Sequence, residues 1–317
     1  MLTLSKNLKN AVFVPRLSHR AFAVHSNPEV AYDSNKKTET NKLEKTLAKF
    51  WEKVSVAKND DSHFVIQLDR KSIKTPLGFE MKIPPSKKSL AFLLENEWKS
   101  LPSLQIKPFQ VPLTSLTSRC IDLEQAQLSS DKEIKAKVGD LSTVKNLLLR
   151  YLDTDTMLVF SPVEDCDGEL RKEQEKCYRP IIKEMESFFS KFADNGEPVV
   201  FTFLDCEKSG LIGNSQTEHT KAAVLKYLDS LSVWDLVALE KAVLVSKSFI
   251  AGVTILRNAD YNDEFKLTVE ELARLVTLET VIQTARWGEV EDTHDVDKVD
   301  IKRNLASAAV IAFKEKN

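Results

Sequence analysis

The sequence predicts an α+β fold in which a β-rich N-terminal domain precedes a larger, mostly α-helical one. Three observations predict it. Apolar residues alternate with polar ones between residues 52 and 84, and from Ser86 the apolar period becomes helical. The composition, 42% hydrophobic and 29% charged over 317 residues, is that of a folded globular chain. At this length a chain buries one large or two ordinary cores without disulfides or a structural metal.

Residues 1–28 contain Lys6, Lys9, Arg16 and Arg20, no Asp or Glu, and apolar residues from Leu2 to Phe22 between the charges. This acid-poor, amphipathic make-up predicts a mitochondrial transit peptide and hence a place in the matrix, a disordered basic tail being the alternative. Residues 29–42 are polar and read as a linker. The β-rich domain is expected over 43–128. Phe50 and Trp51 lead into Val54 and Val56, a polar turn follows at 59–62, and Phe64, Ile66 and Leu68 alternate at period two. Ile73, a Pro76-Leu77-Gly78 turn, Phe79, Met81 and Ile83 continue the pattern, so 52–84 reads as an antiparallel meander. Leu90, Leu93, Leu94, Trp98 and Leu101 then fall at helical spacings.

Further helices are expected at 113–127, 131–151, 169–192, 217–229, 232–257, 268–286 and 297–315, with one more strand at 199–204. All but the first belong to the helical domain, 129–317. In 232–257 apolar residues surround most of the cylinder, which marks the central helix of its domain. Glu240 and Lys247, seven apart, return to the same side there, as polar contacts inside a bundle would.

Several functions are excluded. There are only 8 Gly, no G-x-G-x-x-G and no G-x-x-x-x-G-K-[ST], so phosphate binding by those two loops is absent. The 4 Cys and 5 His form no zinc-ligand pattern. Setting the four N-terminal cations aside leaves 41 Lys+Arg (45 less 4) against 47 Asp+Glu, an acidic remainder that does not suit nucleic acid. No run of 18 apolar residues predicts membrane insertion. No cofactor is expected.

Two segments suggest chemistry. Asp153-Thr154-Asp155-Thr156 has the D-x-D spacing of magnesium-dependent phosphohydrolases, with one Asp as nucleophile and both on the metal. That chemistry wants a buried parallel strand before the motif, and residues 146–152 read as the end of a helix. Capping by Asp and Thr at a helix-to-loop junction is the favoured reading. Ser246 and Lys247 are neighbours on a helix and point about 100° apart, too far to share a proton.

The most unusual segment runs from Arg286-Trp287-Gly288 into Glu289, Glu291, Asp292, Asp295, Asp297 and Asp300, with Lys298 the one cation from 289 to 300. Gly288 permits the chain to break, placing Glu289 at a corner between helices. The spacing is not that of an EF-hand. One reading is a solvated acidic loop that caps the next helix. The other is a protein-recognition site, since Trp287 supplies an anchor and the carboxylates a steering charge. The candidate partner-binding residues are therefore Arg286, Trp287, Glu289, Glu291 and Asp292.

Five motifs taken together carry a family resemblance. They are Leu68-Asp69-Arg70-Lys71-Ser72-Ile73-Lys74-Thr75-Pro76, Val111-Pro112-Leu113-Thr114-Ser115-Leu116, Tyr151-Leu152-Asp153-Thr154-Asp155-Thr156, Leu236-Val237-Ala238-Leu239-Glu240 with Ser246-Lys247-Ser248, and Arg286-Trp287-Gly288-Glu289-Val290-Glu291-Asp292 with His294-Asp295. In this order and spacing the chain, over about 45–313, resembles the mitochondrial ATP synthase assembly factor 2 family. It departs at Lys71-Ser72, where an Arg/Pro-type turn is common, and at Thr284-Ala285, where a charge often precedes the Arg. The resemblance implies two domains in the order read above, no catalysis, and a chaperone whose partner is the unassembled alpha subunit of the F-type ATP synthase.

Overall fold

The computed structural model describes residues 49–102, 106–209 and 213–315. The expected transit peptide, linker and start of the first domain lie outside the described residues. A small sheet near the N-terminus is followed by a mostly helical body.

Strands β1 (Val54–Lys58) and β2 (Phe64–Leu68) form an antiparallel hairpin with Val56 opposite Ile66. Asp69 and Arg70, both at positive φ, turn the chain into β3 (Lys71–Ser72). Strand β4 (Lys82–Ile83) also pairs with β2, at its other end, with Phe64 opposite Ile83 and Leu68 opposite Lys71. The expected meander is therefore corrected: β3 and β4 lie along the same edge of β2, and 73–81 loops out between them as a small hairpin closed by the Lys74–Glu80 bridge. The cause is local. Gly78, at φ +91, reverses the chain within a few residues, and the Met81 amide bonds the Ile73 carbonyl at 3.0 Å.

Helix α1 (Lys88–Lys99) buries Leu90, Ala91, Leu94 and Trp98, and its Trp98 ring meets Trp51 edge-on at 5.1 Å. Glu97 on α1 accepts the Leu113 and Thr114 amides at 2.8 and 2.9 Å, at the start of α2 (Pro112–Leu128). A carboxylate there satisfies donors that a helix start leaves unpaired. Helix α2 then packs on the central helices, joining sheet to body.

The body contains α3 (Lys132–Val138), α4 (Leu141–Asp153), α5 (Glu169–Ser190), α6 (Glu218–Ser230), α7 (Val233–Ser246), α8 (Phe249–Ala259), α9 (Val269–Val276), α10 (Leu278–Trp287) and α11 (His294–Ala312). Helix α7 is the expected central one, buried from Trp234 to Ser246 on nearly every side and packed on α2, α8 and α11. Three expected helices are each two. The first breaks at Gly139, φ +93; the second at Lys247, φ +57, with the Ser248 hydroxyl capping α8 through the Ala251 amide; the third at Thr277. The strand expected at 199–204 shrinks to β6 (Leu204–Asp205), parallel to β5 (Val159–Phe160), because Phe201 and Thr202 bond side chains of Glu186 and Gln216 instead of a ladder.

The C-terminus is tied back to the sheet end. Lys87 is buried, and its Nζ donates to the carbonyls of Ile311 and Phe313 while facing the Trp234 ring at 5.3 Å. Glu315 accepts from the Ser89 amide at 2.6 Å.

Candidate functional site

Where α10 ends, Gly288 takes φ +91 and its amide bonds the Thr284 carbonyl at 2.9 Å, closing the helix. Residues 289–293 form a corner held locally. The Val290 amide donates to His294 Nδ1 at 3.0 Å, and the His294 amide returns a bond to the Val290 carbonyl at 3.1 Å. Asp292 adopts φ +59, and α11 begins at His294 with Asp295 and Asp297 in its first turn. From 285 to 300 every residue but His294 is exposed. Helix end, corner and helix start together form one exposed segment, the arm.

The arm joins two chemistries. Trp287 is 68% exposed, Val290 59%, Val296 54% and Val299 66%, and the exposed residues Glu289, Glu291, Asp292, Asp295, Asp297 and Asp300 alternate with them along the chain. Val296 and Val299, three apart, share a helix face. Exposed apolar side chains close in sequence to many carboxylates make the segment a candidate interaction surface. Arg286 differs from its neighbours: its guanidinium pairs with Asp167, in the left-handed turn at the start of α5, and so fixes the base of the arm to the body. Of the five residues expected from sequence, Trp287, Glu289, Glu291 and Asp292 lie together on the arm, and Arg286 anchors it. Val296, Val299 and Asp167 were missed. The two valines were legible as an i, i+3 pair inside an acidic run; Asp167, 119 residues from Arg286, carried no signal.

The second candidate pair has another use. Asp153 closes α4, and its carboxylate accepts the Gln216 amide at 2.7 Å and lies 3.3 Å from Lys221 Nζ. Asp155 is fully buried and accepts the Met157 and Ile250 amides, each at 2.8 Å. Burial pushes its carboxyl up to about 6. The Thr156 amide and hydroxyl bond the Lys247 carbonyl at 3.2 and 3.1 Å. Two of the five motifs, 151–156 and 246–248, thus meet at one buried junction where the Asp carboxylate holds the start of α8. The two carboxylates are committed to different partners and do not converge on one cation site. Among the described residues no group of three or more His, Cys, Asp or Glu side chains is placed to hold a metal ion.

Glu240 makes the polar contact inside the bundle that its position predicts, and Lys247 does not share it. Its carboxylate takes Arg119 of α2 at 2.6 and 2.8 Å, and Lys247, beyond the end of α7, bonds the Leu244 carbonyl. Among the described residues no helix is long and apolar enough to cross a membrane.

Comparison with known proteins places this architecture. The family model described as ATP12 chaperone protein matches residues 48–186. Protein ATP12, mitochondrial, of Saccharomyces cerevisiae is 48% identical over 290 residues, 89% of each chain. Protein atp12, mitochondrial, of Schizosaccharomyces pombe is 36% identical over 267 residues, 84% of this chain and 82% of its own. The crystal structure of Atp12 from Paracoccus denitrificans superposes with a TM-score of 0.61 at 19% identity, covering 84% of this chain and 97% of that one. The Atu1473 protein of Agrobacterium tumefaciens gives 0.62 at 20% identity, covering 83% and 84%. At those identities the two structures show a shared fold. Near-half identity to the budding-yeast protein across most of both chains shows more: the chain belongs to the ATP12 chaperone family, the one its ordered motifs resemble.

Proposed function

We propose that this protein binds the unassembled alpha subunit of the mitochondrial F-type ATP synthase in the matrix, keeps it from aggregating, and yields it to the beta subunit during assembly. The observation that carries the reading is the arm at 285–300, where exposed Trp287, Val290, Val296 and Val299 stand among six carboxylates. Family membership and the mitochondrial relatives support it. A subunit awaiting its neighbour exposes apolar surface that aggregates unless covered. A holder of that surface has to let go, which calls for a compact interface and fast exchange. The arm is suited to both. Its aromatic anchor and valines cover apolar client surface, and its carboxylates steer toward client cations and make the complex sensitive to salt.

The test is suppression of aggregation. Alpha subunit diluted from denaturant scatters light as it aggregates; an equimolar amount of this protein should hold it in solution, and added beta subunit should take it over. Undiminished scattering would overturn the reading, as would a complex that beta cannot displace.

A further inference from the structure

We infer that the groove between α5 and α9 binds a medium-chain fatty acid, its carboxylate on Arg274 and its acyl chain along the α5 wall. The groove has a volume of about 520 Å³, within the range of small-molecule sites. Pro180 and Ile181 of α5, Phe265 and Leu267 of the loop before α9, and Leu275 of α9 make its walls apolar. Two tethers set its width. At one end the buried Tyr178 hydroxyl donates to the Leu275 carbonyl at 2.8 Å. At the other, buried Arg257 holds Glu184 of α5 at 2.8 Å and Asp263 of the loop at 2.6 Å, with its guanidinium 4.7 Å from the Phe265 ring. Neither tether needs a ligand, so the groove is preformed. None of its lining residues belongs to the arm, and the inference does not rest on the client-binding reading.

The charged side chains along the groove choose the ligand. Glu184 is committed to Arg257, and Glu271 accepts the Thr268 amide and hydroxyl, each at 2.8 Å, in the cap of α9. Arg274 differs from both. Its side chain is half exposed, and its one ion-pair partner among the described residues, Glu173, lies at 3.8 Å, beyond hydrogen-bond reach, and is itself 3.0 Å from Lys176. Glu173 precedes Cys177 by one turn of α5, so Arg274 stands at the Cys177 end of the groove. The groove therefore offers one available cation at that end and hydrocarbon between there and Glu184. A carboxylate takes such a guanidinium in a two-pronged, charge-assisted pair. From Cys177 to Glu184 α5 spans ~10 Å at a rise of ~1.5 Å per residue, room for a medium-length acyl chain. A peptide laid along these walls brings amides that they cannot bond, whereas an acyl chain brings none.

Octanoate, with octanol as its uncharged counterpart, tests this on the full chain. Calorimetric titration should show octanoate binding to the parent, and Arg274→Gln should weaken it at least tenfold while octanol binds parent and variant alike. Location is read at Cys177, a half-buried thiol in the groove wall, against Cys166 and Cys206, half-buried thiols outside it. Saturating octanoate should slow alkylation of Cys177 by iodoacetamide at least fivefold, followed by mass spectrometry, and leave the rates at Cys166 and Cys206 unchanged. No binding of octanoate overturns the proposal, as does binding that leaves the Cys177 rate unaltered, which would put the ligand elsewhere. Equal loss of octanoate and octanol in Arg274→Gln would make Arg274 a structural residue and overturn the carboxylate assignment. A Cys177 that resists alkylation in the ligand-free parent would show the groove closed and contradict the proposal at its start.

Discussion

Arg119 and Glu240, 121 residues apart, form a two-pronged ion pair that ties α2 to the central helix α7. Glu240 retains only 11% side-chain exposure and Arg119 34%, so the pair is largely out of water, and each partner justifies the other's burial. Removing one alone strands a charge. Arg119→Met is expected to cost about 2–4 kcal/mol in urea unfolding, and Arg119→Met with Glu240→Met less than the sum of the two single changes. Additive losses would show that the pair does not act as a unit.

The same pair shows how far the sequence could be read. Capped helices were legible: Ser232 accepts the Asp235 amide, and Thr268 with Glu271 forms a reciprocal capping box. The break at Lys247 was not, because a lysine in the left-handed region has no spacing signal, and treating 232–257 as one cylinder placed Lys247 on the side of Glu240. The sheet edge was misread for a similar reason. Period two identifies half-buried residues but not which strand pairs with which, so the strands on either side of the Pro76-Leu77-Gly78 turn were read as successive members of a meander. On the arm the carboxylates, Trp287 and Gly288 were visible, and what needed coordinates was that every residue from 285 to 300 except His294 is exposed and that Arg286 reaches Asp167.

Gly252 on α8 lies so close to α7 that an added Cβ would sit 2.6 Å from Val243 Cγ2 and 2.7 Å from Leu239 Cδ1. Alanine is the better helix former by ~1 kcal/mol, yet Val243 and Leu239 are fully buried and have little room to move. Overlap decides the sign. Gly252→Ala should lower stability by about 1–3 kcal/mol, and Val243→Ala in the same chain should recover part of it. Stabilisation by Gly252→Ala alone would contradict the close approach.

Asp155 makes stability depend on pH. Its carboxyl titrates near 6 in the fold and near 3.8 when unfolded, so the native state holds the proton more tightly. The contribution is fully present below about 3.8 and is lost as pH rises through about 6, a change of roughly 2–3 kcal/mol. Asp155→Asn removes this titration. Denaturation measured from pH 4 to 7 should show the parent losing stability relative to the variant across that window, whereas parallel curves would mean that the carboxyl is not buried as described.

The arm should depend on charge and on its apolar anchor in separable ways. Glu289→Lys is expected to slow association with the alpha subunit and to flatten its dependence on salt, since exposed charges act mainly on encounter. Trp287→Ala should instead speed dissociation by tenfold or more, as loss of an aromatic anchor does. Stopped-flow mixing at two ionic strengths separates the two; equal effects on both rates would argue against this division.

The most direct test of the central claim is calorimetric titration of alpha subunit into the parent and into a variant carrying Trp287→Ala, Glu289→Lys and Glu291→Lys, with Tm recorded for both. All three positions are exposed, so Tm should shift by no more than about 2 °C, in line with the small effects of surface substitutions. Binding weakened at least 100-fold with Tm held is the predicted result. Unchanged affinity in the folded variant would contradict the arm as the client-binding surface.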